Sequence, residues 1–285
     1  MLNNLIIRSM LAEDLAFASE RTAAEGWVSE NRATLDGFFF HEPEGCLVAE
    51  LDGRRVGIGV ATSYGHSGFI GELIVRPEAR GQGIGSALLN HAVIYLQQRG
   101  ARSIYLDGVV KAVDLYQRNG FRKICRSLRF SGKVDGKSHP QVRPMLEKDL
   151  PVVFDLDQRY FGADRSFFLT RRWKLFPELS KVLVEDDRVT GFILGRWGEG
   201  WMVAGPWVVE AGVRHPQWLL EAQAVVNGDQ MFSIGVLESN SRAVELIRSY
   251  GFVERSDSPW RMAFGPDEDL GASPQCFAVG SAAKG

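Results

Sequence analysis

Apolar positions along the first 132 residues follow two alternating periods. "LIIR" (residues 5–8) reads as a short strand, and residues 11–41 carry the wider spacing of one or two helices. "CLVAELD" and "RRVGIGVAT" read as strands, and Asp52-Gly53 between them is a turn dipeptide, so the pair predicts a hairpin. "GFIGELIVR" is a further strand, stopped by Pro77. Ile84, Leu88, Ala92, Tyr95 and Leu96 then recur at helical spacing. "RSIYLDGV" returns to strand character, "KAVDLYQRNGF" predicts a helix closed at Gly120, and another strand follows. Strands and helices interleaved in this way predict a mixed sheet with flanking helices, α/β or α+β in class.

The pattern occurs twice. Arg8, Met10, Asp14 and Leu15 match Arg143, Met145, Asp149 and Leu150, an offset of about 135 residues. "LVAELDGRRVGIGVA" pairs with "VLVEDDRVTGFILGR", and "AVDLYQRNGF" with "AVELIRSYGF". Three matches in one order predict duplication of one fold. The join falls near "SGKVDGKSHP", a Gly/Ser/Lys-rich stretch of linker composition. The expected division is one domain over 1–132, a second over 141–265, and a loosely held Gly/Ala/Ser-rich tail over 266–285.

Composition narrows the function. The 285 residues carry 33 basic and 35 acidic side chains, a net charge of -2, so no charge bias points to nucleic acid or an anionic membrane. No apolar run reaches bilayer-spanning length, and the start lacks the order of a secretory signal. Three widely spaced cysteines with no C-x-x-C predict free thiols in a reducing cytoplasm and no metal site.

One stretch carries chemistry. In "RPEARGQGIGS" three glycines, Gly81, Gly83 and Gly85, sit between the strand "GELIV" and a helix, behind Arg76 and Arg80. Glycine lets backbone approach a bulky anion and adopt positive φ. The first N–H groups of the helix lack intrahelical partners and stand at its positive end. Such a loop fits a pyrophosphate; a tight turn without ligand is the alternative. It is no Walker motif, because no Gly-Lys-Ser/Thr follows, and its G-x-G-x-G spacing is not a Rossmann fingerprint.

"LIVRPEARGQGIGSALL" followed by "VDLYQRNGF" resembles the GNAT acyltransferases, which use acetyl-CoA. The likeness covers most of residues 3–131, and the whole chain is similar to a subgroup with two GNAT units in tandem. The resemblance implies two such units, each a mixed, mostly antiparallel sheet flanked by helices. It implies that the backbone of Ile74, Val75 and Arg76 bonds the pantetheine arm as an added strand would. Amides of Arg80, Gly81, Gln82, Gly83, Ile84, Gly85 and Ser86 would hold the pyrophosphate, with Arg80 assisting by charge. Tyr116 would stand near the sulfur and protonate the leaving thiolate, and the Ile74 N–H would stabilise the oxyanion. Many relatives have asparagine seven residues before that tyrosine; here the position is Val109.

Remaining assignments have two readings each. Glu72 is a candidate base, or a strand-face glutamate. Asp107 binds the substrate amine, or caps the next helix. Tyr116 is the acid, or a packing aromatic. His66, in a Gly/Ser-rich loop, is expected in solvent. Trp27, Asn31 and Asp36 fall where GNAT folds carry helices over the acceptor site, with Trp27 as plain core the alternative.

The second copy has lost the motif. It reads "VAGPWVVEAGVRHPQWLLEAQA" where the loop should fall, with Pro216 opening the helix, Ile247 in place of Tyr116, and Asn240 in place of Val109. It is expected to keep the fold without the CoA chemistry. Of its tryptophans, Trp173, Trp197, Trp201, Trp207, Trp218 and Trp260, most are expected in packing and one or two around an acceptor pocket. The expected activity is acetyl-CoA-dependent N-acetylation of a small-molecule amine by a cytoplasmic monomer or homodimer. A CoA-binding sensor and an acetyltransferase acting on peptide or protein amines are the alternatives.

Overall fold

The computed structural model describes residues 4–27, 31–198, 200–266 and 270–285. In chain order, the first copy forms β1 (Leu5–Ser9), α1 (Asp14–Ala24), α2 (Arg32–His41), β2 (Cys46–Leu51), β3 (Arg54–Tyr64), β4 (Ser67–Val75), α3 (Ile84–Gln98), β5 (Ser103–Gly108), α4 (Val113–Arg118) and β6 (Arg122–Gly132). The second forms β7 (Val142–Pro144), α5 (Leu150–Phe161), α6 (Ser166–Leu175), β8 (Lys181–Glu185), β9 (Arg188–Gly198), β10 (Trp201–Val209), α7 (Gln217–Asn227), β11 (Met231–Leu237), α8 (Ser241–Ser249), β12 (Val253–Glu254), β13 (Trp260–Phe264) and β14 (Cys276–Ala278). The expected strands and helices of the first copy are all present, including the turn at Asp52-Gly53, where both residues have positive φ.

The chain divides into two compact units that do not coincide with the sequence halves. Unit 1 is Met1–Ile124 with Trp260–Glu268 and Lys284; unit 2 is Cys125–Pro259 with Asp269–Ala283 and Gly285. Unit 1 has strand order β1-β2-β3-β4-β5-β13, antiparallel except for β4–β5. Unit 2 has the order β7-β8-β9-β10-β11-β6, antiparallel except for β10–β11, with β12 on β6 and β14 on β10. The first copy's β6 thus completes the sheet of unit 2, and the second copy's β13 that of unit 1. Duplicated strands of like pattern make this exchange possible, since either can complete either sheet. The division expected at 132 therefore cuts through unit 2, and 260–264 belongs to unit 1.

Each sheet carries its own core. In unit 1 the α3 face Ile84, Leu88, Leu89, Ala92 and Leu96 packs on Leu47, Ala61, Ile70, Ile104 and Leu106, all buried. In unit 2, Leu219, Leu220 and Ala224 of α7 pack with Phe232, Ile234 and Trp207, which answers the expectation of packing for that tryptophan. The tail is a further correction: Leu270, Phe277 and Ala278 are buried, and Phe277 joins the core of unit 2. The repeat also shows in a shared device. Arg8 pairs with Asp14 at 2.7 Å and Arg143 with Asp149 at 2.6 Å, each carboxylate also accepting from a backbone N–H three residues earlier. Among the described residues no helix is long and apolar enough to cross a membrane, and no acidic, His or Cys cluster could hold a metal ion.

Candidate active site

Unit 1 has a fork in its sheet. The parallel β4–β5 ladder ends at Ile70–Leu106, although β4 runs on to Val75 and β5 to Gly108. The divergence has a local cause. The β3–β4 register shifts between Ile58 and Val60, so that Glu72 and Leu73 together oppose Gly59. Glu72 sits at φ +52, a conformation uncommon for any residue with a side chain. Such a bulge bends and twists its strand, and here it separates β4 from β5. Glu72 is 4% exposed.

Ladder phase decides which backbone groups face the fork. The Arg76 N–H donates to the Val56 carbonyl at 2.8 Å, which makes that pair a hydrogen-bonded one. Hydrogen-bonded pairs alternate along an antiparallel ladder, so Ile74, opposite Ile58, also turns its N–H and C=O to β3. The intervening Leu73 and Val75 turn theirs outward. The Val75 carbonyl accepts from Arg80 Nε at 2.9 Å on that outer side. This corrects the sequence expectation: the Ile74 and Arg76 amides are engaged with β3, and the groups facing the fork are those of Leu73 and Val75. Beyond its backbone, Arg76 donates to the Arg55 carbonyl at 3.1 Å and stacks over Phe17.

The glycine loop follows directly. Gly81 and Gly83 have φ of +77 and +84, and a Cβ at either would meet nothing within 4 Å. They serve backbone conformation rather than space, turning the chain into α3 with Gly83 as its N-cap. Gln82 between them is exposed, whereas Ile84 is buried and anchors the helix start. Gly85 lies against Leu115 of α4, and Ser86 Oγ accepts from Asn119 Nδ2 at 3.2 Å. The first turn of α3 holds no acidic side chain and no side-chain cap, which leaves its N–H groups for an external acceptor. Glu25 at the end of α1 pairs with both Arg80 and Lys111. Burial pushes its carboxyl upward, but hydrogen bonds from Lys111 and Arg80 outweigh this and leave its pKa lowered.

Tyr116 lies on α4, buried, with its ring edge-on to Phe121 at 6.2 Å. It also lies against Gly108 at the end of β5, where an added Cβ would come within 2.8 Å of the ring. Only glycine permits this approach. Burial pushes the Tyr116 phenol up to about 12, so it stays protonated at neutral pH.

The expected acceptor-binding residues are not brought together. The Asp107 carboxylate is fully buried and accepts from Arg261 Nε of β13 at 2.6 Å, and the helical turns that follow it have no side-chain cap. Asn31 caps α2 by accepting from the Thr34 N–H, Asp36 pairs with Arg32 at 2.7 Å, and Trp27 is half-buried. His66 is exposed, as expected. Sequence reasoning missed Leu73, Glu25, Lys111 and Arg261. Period-two alternation gave a signal for Leu73, but the bulge hides its phase. Arg261 gave none, being 154 residues from its partner.

Unit 2 has the same fork, filled. The β10–β11 ladder ends at Ala204–Ile234. Beyond it the tail strand β14 pairs with β10 at Trp207 and Val208, and the Val279 N–H donates to the Gly235 carbonyl of β11 at 2.9 Å. Asn240, at the position where relatives of the first copy carry asparagine, donates to the Pro274 and Cys276 carbonyls at 3.1 and 3.0 Å. The chain's own backbone therefore occupies this cleft.

Comparison with known proteins fits this architecture. Residues 10–121 match the acetyltransferase (GNAT) family model and 153–277 an acetyltransferase (GNAT) domain model. A thialysine N-epsilon-acetyltransferase of Sus scrofa is 32% identical over 139 residues, 40% of this chain and 79% of that protein. An uncharacterized N-acetyltransferase of Methanocaldococcus jannaschii is 34% identical over 92 residues, 29% of this chain and 41% of that protein. The crystal structure of a putative acetyltransferase from Pyrococcus horikoshii has a TM-score of 0.83 at 22% identity, covering 100% of this chain and 97% of that one. A tandem GNAT protein from the clavulanic acid biosynthesis pathway has a TM-score of 0.66 at 14% identity, covering 93% and 100%. The fold is shared with both structures, and the chain is a GNAT-family acetyltransferase built of two tandem units.

Proposed function

We propose that unit 1 transfers the acetyl group of acetyl-CoA to the amine of a small, amino-acid-like molecule by direct attack in a ternary complex. The observation that carries this reading is the fork itself: outward-facing backbone of Leu73 and Val75, next to a positive-φ glycine loop and a protonated tyrosine. Those features fit the parts of acetyl-CoA. An amide-bearing pantetheine arm can extend the sheet along Leu73 and Val75 as an added strand. A diphosphate suits the N–H groups from Gly81 to Ser86, while the Arg80 N–H is engaged with the Pro77 carbonyl at 3.2 Å. When bound, acetyl-CoA supplies an activated thioester.

The residues then have separate tasks. A primary ammonium has a pKa of about 10.4 and attacks only after losing a proton. Glu72, at the bulge, accepts that proton through water. The amine nitrogen forms a bond to the thioester carbonyl carbon, and the carbon–sulfur bond breaks. An outward amide of β4, Leu73 or Val75, stabilises the negative oxygen in place of the Ile74 N–H expected from sequence. The Tyr116 phenol gives its proton to the departing sulfur, and the phenolate so formed takes up the second proton that the nitrogen sheds as it becomes an amide. For the acceptor, similarity to a thialysine acetyltransferase over 79% of that protein's length supports an amino-acid-like primary amine.

The test is free-thiol release from acetyl-CoA with a panel of amino-acid-like amines and peptides. The expected result is release with a small amine and none above background with peptides. Tight acetyl-CoA binding without release on any amine would replace this reading with that of a sensor. Release with peptides alone would replace the acceptor class.

A further inference from the structure

Arg261 enters unit 1 on β13, opposite Asp107 in the β5 register. Its Nε donates to Asp107 Oδ1 at 2.6 Å, with the two side chains 2% and 0% exposed. The same guanidinium lies over the Phe69 ring of β4, 5.1 Å from its centroid. Phe69 pairs with Tyr105, one step before the β4–β5 ladder ends, and Asp107 is the first residue of β5 beyond that end. One cation therefore touches both arms of the fork at its branch point. Gly108, the next residue, is the one against which the Tyr116 ring rests.

Stability alone does not call for this pair. Removing two charges from water costs several kcal/mol per ion, and well-packed apolar residues of like volume are often as stable or more so. A planar guanidinium does supply direction: it holds a carboxylate through a fixed fork of donors while its face stacks on a ring.

We infer that Asp107 and Arg261 are positioning residues for the acetyl transfer proposed above, on which this inference rests. The bulge turns β4 away, and the pair holds the β5 arm in place beyond that branch point. The pair thereby sets Gly108, and through Gly108 the ring of Tyr116, at the point where the departing sulfur is protonated. A reaction built on the first copy's motifs then depends on an arginine from the end of the second.

The experiment compares Arg261→Lys and the double variant Asp107→Leu/Arg261→Met with the wild-type chain. The double variant removes both charges and so keeps the chain folded where Arg261→Met alone would leave a buried, uncompensated carboxylate. Expected is a fall in kcat of about 10- to 100-fold for the double variant, the scale of a misplaced catalytic group. Its Kd for acetyl-CoA should stay within about two-fold, because the loop and the β4 amides are untouched. Arg261→Lys keeps the charge without the planar fork and should fall between. A double variant with wild-type kcat would overturn the positioning role, and so would parallel loss of kcat and acetyl-CoA affinity, which marks a purely structural pair. A wild-type chain that releases no thiol with any amine would overturn the acetyl-transfer reading itself, and the positioning role with it.

Discussion

The two forks began as copies and differ now in what lies between their arms. In unit 1 the outer side of β4 beyond Ile70 is bordered by a glycine loop, and Tyr116 stands at the far arm. In unit 2 the matching space holds β14, fixed to β10, β11 and Asn240 by its own backbone. A splayed sheet leaves main-chain N–H and C=O groups without a ladder partner, and such groups must find one. Unit 2 finds it within the chain. On the function proposed above, unit 1 leaves the role to a ligand. Loss of the loop and capture of the tail are thus two sides of one change, since a cleft that no longer recruits a cofactor must satisfy its edges by itself.

That contrast can be broken from either side. The largest effect belongs to the filled cleft: Phe277→Ala removes a fully buried ring and should cost about 3–5 kcal/mol. Urea unfolding measures it, and a loss below about 1 kcal/mol would show that the tail only rests on unit 2. Next comes Gly83→Asp in unit 1. Aspartate tolerates positive φ better than most residues and the space is open, so the fold should survive while a negative charge faces the diphosphate. Acetyl-CoA affinity by calorimetry should fall on the order of 100-fold; an unchanged Kd would remove the loop from the site.

Tyr116→Phe is expected to lower kcat by about 10- to 100-fold with little change in acetyl-CoA affinity. Full turnover in this variant would reduce Tyr116 to a packing aromatic. The smallest effect concerns what the units still share. Arg143 lowers the Asp149 pKa against the pull of burial; for Asp14, burial is opposed and outweighed by Arg8 and the Leu11 N–H. Both carboxyls therefore titrate below their usual 3.8 when folded. Their stabilisation is complete above that value and is lost as pH falls through the lower folded pKa. Asp14→Asn and Asp149→Asn should each cost on the order of 1 kcal/mol at pH 7 and less at pH 3. Denaturation midpoints at the two pH values test this, and unequal losses would show that the copies have diverged here too.

Much of this was legible from residue order. Helix α3 could be read from Ile84, Leu88, Ala92 and Leu96, because burial of one helical face imposes a 3.6-residue period. The glycine loop was legible because positive φ at Gly81 and Gly83 demands that residue type. Ile74 was placed one step out of phase, because a bulge shifts the hydrogen-bonding side of a strand without altering its apolar pattern. Asp107 was read as a substrate or capping group because it stands at the C-terminal end of its strand beside Gly108, whereas its partner Arg261 arrives from β13.

Sequence by itself determined the duplicated elements, the single surviving glycine loop and the family, all of which rest on local periodicity and backbone conformation. Only the tertiary structure decided which sheet β6 and β13 each complete, which amides face the fork, what neutralises Asp107 and what fills the second cleft. Those four depend on pairing between segments far apart in the chain, where many partners share the same local pattern and only packing selects among them.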